Sequence, residues 1–442
     1  MLPLDSLYFT IPIFLVSAYV VRKVFLNAMD PLLLTLFTLC SSIGLMAYYY
    51  ADGAFADVSI VVTFAAAHVA FLVGLLSGNK VVPRRRYDIH FTFAPDFVAL
   101  SCGVFFAVTV LVFVIMAQTV GLTILQENPD TAKNLIYTGG AGVFKRFVPS
   151  LVMFTILYSF AAQHERRITA LSTTLLAIVP LGIAFVSGGK GSVFVIYTVL
   201  VYQWAFLARN KGVRVRISRY LAAGAAIGVT LAAALYIYAV GLANEYGLSG
   251  ADVLTGARVL LLNRIVAYGD ISMYYFTTGL PGVFVRSPAS YVPDLLSDIL
   301  GMLRLTPYRV PLGAELVTAV LGTSNEGGFG PNAQAYFVGV IYFGKLLGIV
   351  YSFGIGYLVA SLRRIVQVRF SRTNFDMIAF VFANIMIVSI PVDFTFSLAT
   401  TFTAFLAFIG VTAVGYVAYV AAVGRSPVAV VYIPLQPAPA AA

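Results

Sequence analysis

The chain has 442 residues, of which 60% are hydrophobic and only 10% are charged. A soluble protein carries about 25% charged residues, so this composition indicates an all-α membrane protein with several spanning helices. The formal net charge is +10, but the basic residues lie at the ends of apolar stretches. That distribution is a membrane topology signal, and it excludes a nucleic-acid-binding surface.

Apolar segments long enough to cross a bilayer recur along the chain. A spanning helix needs about 20 apolar residues. By this criterion we expect about 11 transmembrane helices. They lie near residues 5–21, 31–50, 58–77, 96–117, 147–162, 168–187, 192–208, 220–242, 346–362, 376–397 and 399–423.

The connectors between these segments predict the orientation of the chain. Those after the first, third, fifth, seventh and ninth segments are basic, whereas the even-numbered connectors are acidic, neutral or mixed. Basic connectors stay in the cytoplasm, so the N-terminus should lie outside and the C-terminus in the cytoplasm. The basic connectors carry Arg22, Lys23, Lys80, Arg84, Arg85, Arg86, Arg166, Arg167, Arg209, Lys211, Arg214, Arg216, Arg219, Arg363, Arg364, Arg369 and Arg372.

The predicted organisation has four parts. Residues 1–243 hold transmembrane helices 1–8 with a small outer loop at 121–146, and residues 244–334 form one large, partly helical outward loop. Residues 335–425 hold a surface helix and transmembrane helices 9–11. Lys345 interrupts the apolar run there, which separates a short helix at 333–344 from the span that follows. Residues 426–442 are expected to form a disordered Pro/Ala-rich tail.

The cysteines and histidines do not form a metal-ligand pattern. Cys40 and Cys102 each lie within an apolar segment, and the three histidines are far apart in the sequence. We therefore expect no metal and no cofactor. His68 lies mid-span, where ionisable groups are often functional. The alternative is a neutral imidazole that is hydrogen-bonded between helices.

The turn Ser187-Gly188-Gly189-Lys190-Gly191-Ser192 could bind an anion. Its glycines expose backbone N–H groups immediately before a helix, whose first turn favours negative charge. Lys190 adds a point charge that suits a phosphate group. The alternative is a tight helical hairpin turn with an interfacial lysine.

The large loop concentrates further charged and polar side chains. Arg258 and Arg264 flank an apolar stretch, and their planar guanidinium groups match phosphate oxygens in pairs. Asn325 and Glu326 share a Gly- and Pro-rich turn with Asn332, where a carboxylate could accept the proton of a sugar hydroxyl. Lipid headgroup contacts for the arginines, and a purely structural role for the turn, remain open alternatives.

Three stretches resemble segments of the O-antigen (oligosaccharide repeat-unit) polymerases of the Wzy type. Ser187–Ser192 is similar to that family's Gly-Ser-Arg/Lys-Gly turn, and Asn263-Arg264 with the aromatic run to Pro281 is similar to its arginine-plus-aromatic segment. Gly330-Pro331-Asn332 followed by Tyr336 resembles its closing Gly-Pro pattern. About 11 spans with one large outward loop also match the family's architecture.

The resemblance implies a metal-independent, C-type glycosyltransferase in the bacterial inner membrane with its active site facing the periplasm. Such an enzyme moves a growing glycan from undecaprenyl diphosphate to a hydroxyl of an incoming lipid-linked repeat unit, and a chain-length regulator protein is a possible partner. The site residues expected on this basis bind diphosphate (Lys190, Arg264, Arg258 and Arg309), bind sugar (Asn325, Asn332 and Tyr336) or act as the catalytic base (Glu326).

Two other functions fit parts of the sequence. An O-antigen ligase would share the chemistry but use lipid A core as acceptor, and we would expect a histidine in its large outer loop. Residues 244–334 contain none. A transporter of polysaccharide or lipid-linked sugar would carry charged residues at mid-membrane depth. Most charges in this sequence are instead expected at helix ends or in the large loop.

Overall fold

The computed structural model describes residues 4–54, 57–81, 88–121, 142–186, 192–211, 255, 270–277, 285–306, 312–321 and 332–433. Over these ranges the protein is a bundle of α-helices with one two-stranded sheet. In the first half, a β-strand follows the third helix. The elements are α1 (Leu7–Val20), α2 (Leu32–Ala51), α3 (Val58–Gly78), β1 (Asp88–Phe93), α4 (Pro95–Val120), α5 (Gly142–His164), α6 (Ala170–Val186) and α7 (Ser192–Lys211).

In the second half, the part of the predicted large outward loop that the structure describes contains three short helices. Three longer helices and the second strand follow them. The elements are α8 (Asp270–Thr277), α9 (Tyr291–Met302), α10 (Leu312–Leu321), α11 (Ala335–Arg369), α12 (Asn374–Ser389), α13 (Phe394–Val423) and β2 (Val428–Ile433). The large loop is therefore partly helical, as predicted, where it is described.

Among the described residues, six helices are long and apolar enough to cross a membrane, namely α2, α3, α4, α5, α11 and α13. Three further apolar helices, α1, α6 and α12, are shorter. The chain thus has the architecture of an all-α polytopic membrane protein. The number of 11 spans and the orientation remain predictions, and the predicted span at 220–242 lies outside the described residues. The predicted span 376–397 is shorter than expected, since α12 ends at Ser389.

Glycines allow α3 and α11 to pack with their backbones almost in contact. A Cβ atom placed on Gly74 would lie 2.3 Å from the carbonyl oxygen of Phe353, and one on Gly78 would lie 2.4 Å from that of Tyr357. On the other helix, a Cβ on Gly356 would lie 2.2 Å from the carbonyl oxygen of Phe71. Small residues four apart are how membrane helices approach closely enough for dense packing. This contact organises the centre of the bundle.

Replacing Gly356 with Ala should destabilise the protein by roughly 1–3 kcal/mol, because the added methyl group overpacks the backbone of α3. Gly354→Ala is the matched control, since a Cβ at Gly354 meets nothing within 4 Å. The control should change stability by less than about 0.5 kcal/mol. Thermal unfolding of both purified variants in neutral detergent measures the difference. Equal melting temperatures for the two variants would contradict the close approach.

Helix α11 folds back on itself near its start. Gly344 has a φ of 73° and a ψ of −179°, which breaks the helix. A Cβ on Gly339 would lie 2.9 Å from the carbonyl oxygen of Gly348, although a straight helix would separate these two residues by about 13 Å along its axis. Residues 335–343 and 345–369 therefore form a tight helical hairpin. The predicted break between a short helix at 333–344 and the following span falls at this position.

A fully buried ion pair links α11 to the connector before α2. Arg363 Nη2 lies 2.5 Å from Asp30 Oδ2, and both side chains are at most 1% exposed. The Asp30 carboxylate also accepts hydrogen bonds from the backbone N–H groups of Leu26 and Leu32, at 2.7 and 3.0 Å. Assigning Arg363 to a basic connector is therefore wrong, because α11 continues as a helix to Arg369. The cation stays in the interior because an acid pairs with it.

The two-stranded sheet was not predicted, and β2 occupies part of the expected disordered tail. Its strands are antiparallel, with Phe93 paired with Val428 and Asp88 paired with Ile433. The sheet is fixed to the start of α12, where Asn374 bonds both the N–H and the carbonyl of Phe93 at 2.9 and 2.8 Å. The prediction of disorder is therefore wrong for 428–433, and residues 434–442 lie outside the described chain.

The described residues of the basic connectors and the sheet lie on one face of the bundle, which we call the basic face. Arg167 pairs with Asp96 at 3.1 Å, and the side chain of Asn79 donates to the carbonyl of Lys23 at 3.4 Å. At the other end of α3, which we call the opposite face, Lys345 pairs with Asp57 at 3.1 Å. The charge pattern read from the sequence thus corresponds to a spatial separation.

Candidate functional site

A cleft of about 420 Å³ opens between the loop helices α9 and α10 and the starts of α11 and α13. The lining residue Tyr342 lies three positions before Lys345, whose partner Asp57 marks the opposite face. Phe394, also in the lining, is at the end of α13 remote from the sheet, so the cleft belongs to the opposite face. Charged, hydroxyl-bearing and apolar side chains share its wall. The lining residues are Arg286, Tyr291, Asp294, Leu295, Ser297, Leu312, Glu315, Thr318, Ala333, Val338, Tyr342, Tyr351, Phe394 and Thr395.

Two carboxylates in the wall are held by neighbours from other elements. Arg286 forms an ion pair with Glu315 of α10. Tyr342 of α11 donates its hydroxyl hydrogen to Asp294 Oδ2 of α9 at 2.9 Å. Both carboxylates are acceptors, so the wall can orient several hydroxyl groups of one ligand. Neutral, hydroxyl-rich molecules such as sugars are suited to that arrangement.

Asp298 lies one helical turn after Asp294 on α9, so the two carboxylates share a face of that helix. Asp298 is buried, and its Oδ1 atom has no hydrogen-bond partner among the described residues. Burial raises the pKa of this carboxyl group, while the positive charge of Arg146 opposes the shift. Arg146 Nη2 lies 4.0 Å from Asp298 Oδ1 and comes from α5. A buried, incompletely bonded acid beside a cleft is a common feature of functional sites.

Asp393 stands at the start of α13, between the cleft-lining segments at Ala333 and Phe394. Its carboxylate accepts from the backbone N–H of Phe396 at 2.9 Å and from that of Ala333 at 3.3 Å. Burial raises the pKa of Asp393 to about 6, and repulsion from Asp298 adds to the shift despite these backbone hydrogen bonds. A carboxyl group with this pKa exchanges protons near neutral pH, as a general base must.

An aromatic cluster forms one side of the cleft. The ring of Tyr291 lies 5.3 Å from that of Tyr342 and 5.6 Å from that of Tyr351, both edge to face. The hydroxyl groups of Tyr291 and Tyr351 are 2.9 Å apart and hydrogen-bonded. Tyrosine combines an apolar ring with a polar tip, so these side chains can contact both the faces and the hydroxyls of a sugar.

Most of the site residues proposed from the sequence cannot be placed. Lys190, Arg258, Arg264, Arg309, Asn325 and Glu326 all lie outside the described residues. Their predicted roles stay predictions. Asn332 is described and exposed, next to the cleft residue Ala333, and its carbonyl accepts from the N–H of Gln334 at 3.0 Å. Its position beside the cleft wall is compatible with the sugar contact proposed for it.

Tyr336 lies in the interior rather than on the cleft wall. Its side chain is fully buried, and its hydroxyl is hydrogen-bonded to His68 Nδ1 at 2.7 Å. His68 Nε2 in turn lies 2.7 Å from Ser17 Oγ. These two bonds satisfy both ring nitrogens of a neutral imidazole, which matches the alternative interpretation of His68 as a link between helices. The sugar-binding role of Tyr336 remains a prediction that this buried position does not support.

Several residues that meet at the cleft have no role predicted from the sequence. Arg286, Asp294 and Asp298 belong to the charge-rich large loop, and Asp393 belongs to the short connector between α12 and α13. The four-residue spacing of the two aspartates on α9 was the one usable signal, because it puts both on one helix face. The contribution of Asp393 could not be inferred, since it depends on how α13 meets the hairpin of α11.

Comparison of the chain with protein-family models, with curated proteins and with solved structures gave no match. The function therefore has to be argued from the cleft and from the chain's own chemistry.

Proposed function

We propose that the protein polymerises undecaprenyl-diphosphate-linked oligosaccharide repeat units into a surface polysaccharide at the periplasmic face of the bacterial inner membrane. The single observation that carries this proposal is the cleft on the face opposite to the basic connectors, where carboxylates and tyrosines converge. Under the positive-inside rule, this face points away from the cytoplasm. The resemblance of the sequence to Wzy-type polymerases points in the same direction.

The reaction needs a base for the acceptor hydroxyl and cations for the leaving group. The glycosidic bond from the donor sugar to the lipid diphosphate breaks, and a new bond forms from the same carbon to the acceptor hydroxyl oxygen. The hydroxyl proton passes to a base, and undecaprenyl diphosphate leaves with the bonding electron pair. Cations stabilise its growing charge, and Lys190, Arg264, Arg258 and Arg309 are the proposed groups. The base is proposed to be Glu326, and Asp393 is a second candidate because its pKa is about 6.

Sugar recognition is proposed to use the cleft wall. Asp294 and Glu315 can accept hydrogen bonds from sugar hydroxyls, while Tyr291 and Tyr351 offer ring faces and polar tips. No nucleotide site is required in this scheme, because the lipid diphosphate already activates the donor. The membrane holds both lipid-linked substrates, and the cleft has to select only their glycan ends.

A transporter of lipid-linked sugar is the second candidate, and one observation favours it. Asp30 and Arg363 form an ion pair in the bundle interior, where charges often mark a transport pathway. The pair is closed off by protein, with Asn384 Oδ1 3.3 Å from Arg363 Nε and Tyr202 OH 3.4 Å from Asp30 Oδ1. Such enclosure fits a structural pair better than a pathway open to a large glycan.

Deletion of the gene distinguishes the candidates when surface polysaccharide is examined by gel. Loss of a polymerase should leave single repeat units on lipid A, whereas loss of a transporter or a ligase should leave lipid A core without any repeat unit. A ligase defect would also leave finished polymer on the lipid carrier. Unchanged chain length after deletion would exclude the polymerase assignment.

Complementation then tests the proposed diphosphate site. Arg264→Ala at normal expression should reduce chain extension by at least about tenfold, because a charge-assisted hydrogen bond to the leaving group is lost. Arg369→Ala is the control, since Arg369 is an exposed cation on the basic face. Full chain extension by Arg264→Ala would remove that residue from the proposed site.

A further inference from the structure

A second cavity, of about 450 Å³, opens at the basic face between α7, α11 and the connector after α1. It lies at the end of the bundle remote from the cleft, so the proposed polymerase reaction does not use it. Three cations, Lys23, Arg209 and Arg364, line this cavity, and none of its lining residues is acidic.

The absence of a carboxylate from this lining sets these cations apart from Arg286 and Arg363. Arg286 pairs with Glu315, and Arg363 pairs with Asp30. In the basic-face cavity, Arg209 donates instead to the neutral side-chain oxygen of Gln367 at 2.9 Å. Cations that converge on one cavity repel one another, and a bound anion would relieve that repulsion.

Two buried donors on the cavity wall lack acceptors. Arg364 Nε and Asn27 Nδ2 are buried, and neither has a hydrogen-bond partner among the described residues. Buried polar atoms are nearly always hydrogen-bonded, so such donors call for an acceptor that the described chain does not supply. A guanidinium group and an amide next to a lysine are suited to the several oxygens of a phosphate group.

The remaining wall is apolar. Phe25, Leu26 and Trp204 line the same cavity as the cations. An apolar wall beside phosphate-binding cations suits a lipid, whose headgroup is anionic and whose chains are apolar. We propose that the basic-face cavity binds a phosphate group, carried by an anionic phospholipid or present as free phosphate.

Binding to the purified full-length protein in neutral detergent tests this site. Three probes are titrated and followed by thermal unfolding: phosphatidylglycerol, diacylglycerol with the same acyl chains, and inorganic phosphate. A rise in melting temperature with phosphatidylglycerol alone identifies a lipid phosphate, since a ligand of the folded state stabilises it. A rise with inorganic phosphate as well identifies a site for the free ion. If none of the probes shifts the melting temperature, or if diacylglycerol acts as strongly as phosphatidylglycerol, the proposal is wrong.

Two variants test whether the probe binds in the basic-face cavity. Arg364→Gln should weaken binding of the effective probe by at least about tenfold, because it removes a charge-assisted donor. Lys23→Gln should weaken it as well, and Lys23 is exposed, so this change leaves the packing intact. Arg369→Gln, on the same helix but outside the cavity, should bind like the unmodified protein. Unchanged affinity in both cavity variants would overturn the proposal even if one of them folded poorly.

Discussion

Replacing Asp30 with Ala should lower the free energy of unfolding by about 3–5 kcal/mol, because it leaves the buried cation of Arg363 without its partner. The Arg363 side chain is only 1% exposed, so water cannot replace the lost carboxylate. Two backbone N–H groups, of Leu26 and Leu32, lose their acceptor at the same time. Unfolding of the purified protein by a denaturing detergent measures the change.

The double variant Asp30→Leu with Arg363→Met separates the ion pair from the packing around it. Replacing a buried pair with apolar residues of similar size is often neutral, so the double variant should be more stable than Asp30→Ala alone. Lys345→Ala is the matched control, because its ion pair with Asp57 is half exposed and should contribute less than about 1 kcal/mol. A loss for Asp30→Ala no larger than that of the control would mean that the buried pair adds little to stability.

Replacing Asp393 with Asn should slow chain extension by about 10²- to 10⁴-fold if this carboxyl group accepts the proton of the sugar hydroxyl. The pKa of Asp393 is raised to about 6 by burial, so the unmodified protein should lose activity as the pH falls through 6. The variant should have no such decline. Chain extension by purified protein with lipid-linked repeat units, measured between pH 5 and pH 8, provides the profile.

The stability of the same variant separates catalysis from folding. A raised carboxyl pKa means that ionisation is more costly in the folded protein than in the unfolded chain. The contribution of Asp393 to stability is therefore full below its unfolded pKa, near 3.8, and is lost as the pH rises through about 6. Asp393→Asn should remove that pH dependence and keep an oxygen that can accept from Phe396 N–H. If Asp393→Asn has the activity and the pH profile of the unmodified protein, Asp393 is not the base, and Glu326 remains the proposed one.

Much of the helical architecture follows from the sequence because spanning helices must be long and apolar. A charged side chain is costly inside a continuous span, so Lys345 correctly predicts the helix break at Gly344. The same rule wrongly assigns Arg363 to a connector, because most cations lie at helix ends. Only the structure reveals Asp30, which is 333 positions away along the chain, as the partner that keeps this arginine inside.

The strands and the cleft were harder to foresee. Six residues of alternating side chains, as in Asp88–Phe93, carry little local signal when the strand that pairs with them is hundreds of residues away. The cleft combines residues from α9, α10, α11 and α13. Residue spacing within one segment cannot predict contacts among four separate helices. The predicted site residues were drawn from turns with glycines and isolated arginines. The described site instead contains Asp298 and Asp393, whose pKa values are raised by burial in the folded protein. Their neighbours in the sequence do not indicate this burial.

The pairing of β1 with β2 also determines when the sheet can form during protein synthesis. Phe93 and Val428 are roughly 335 residues apart, so β1 cannot pair with β2 until residues 428–433 have left the ribosome. At about 5–20 residues per second, that interval is on the order of 15–70 s. Throughout that interval, β1 presents an edge that only β2 later pairs with among the described strands.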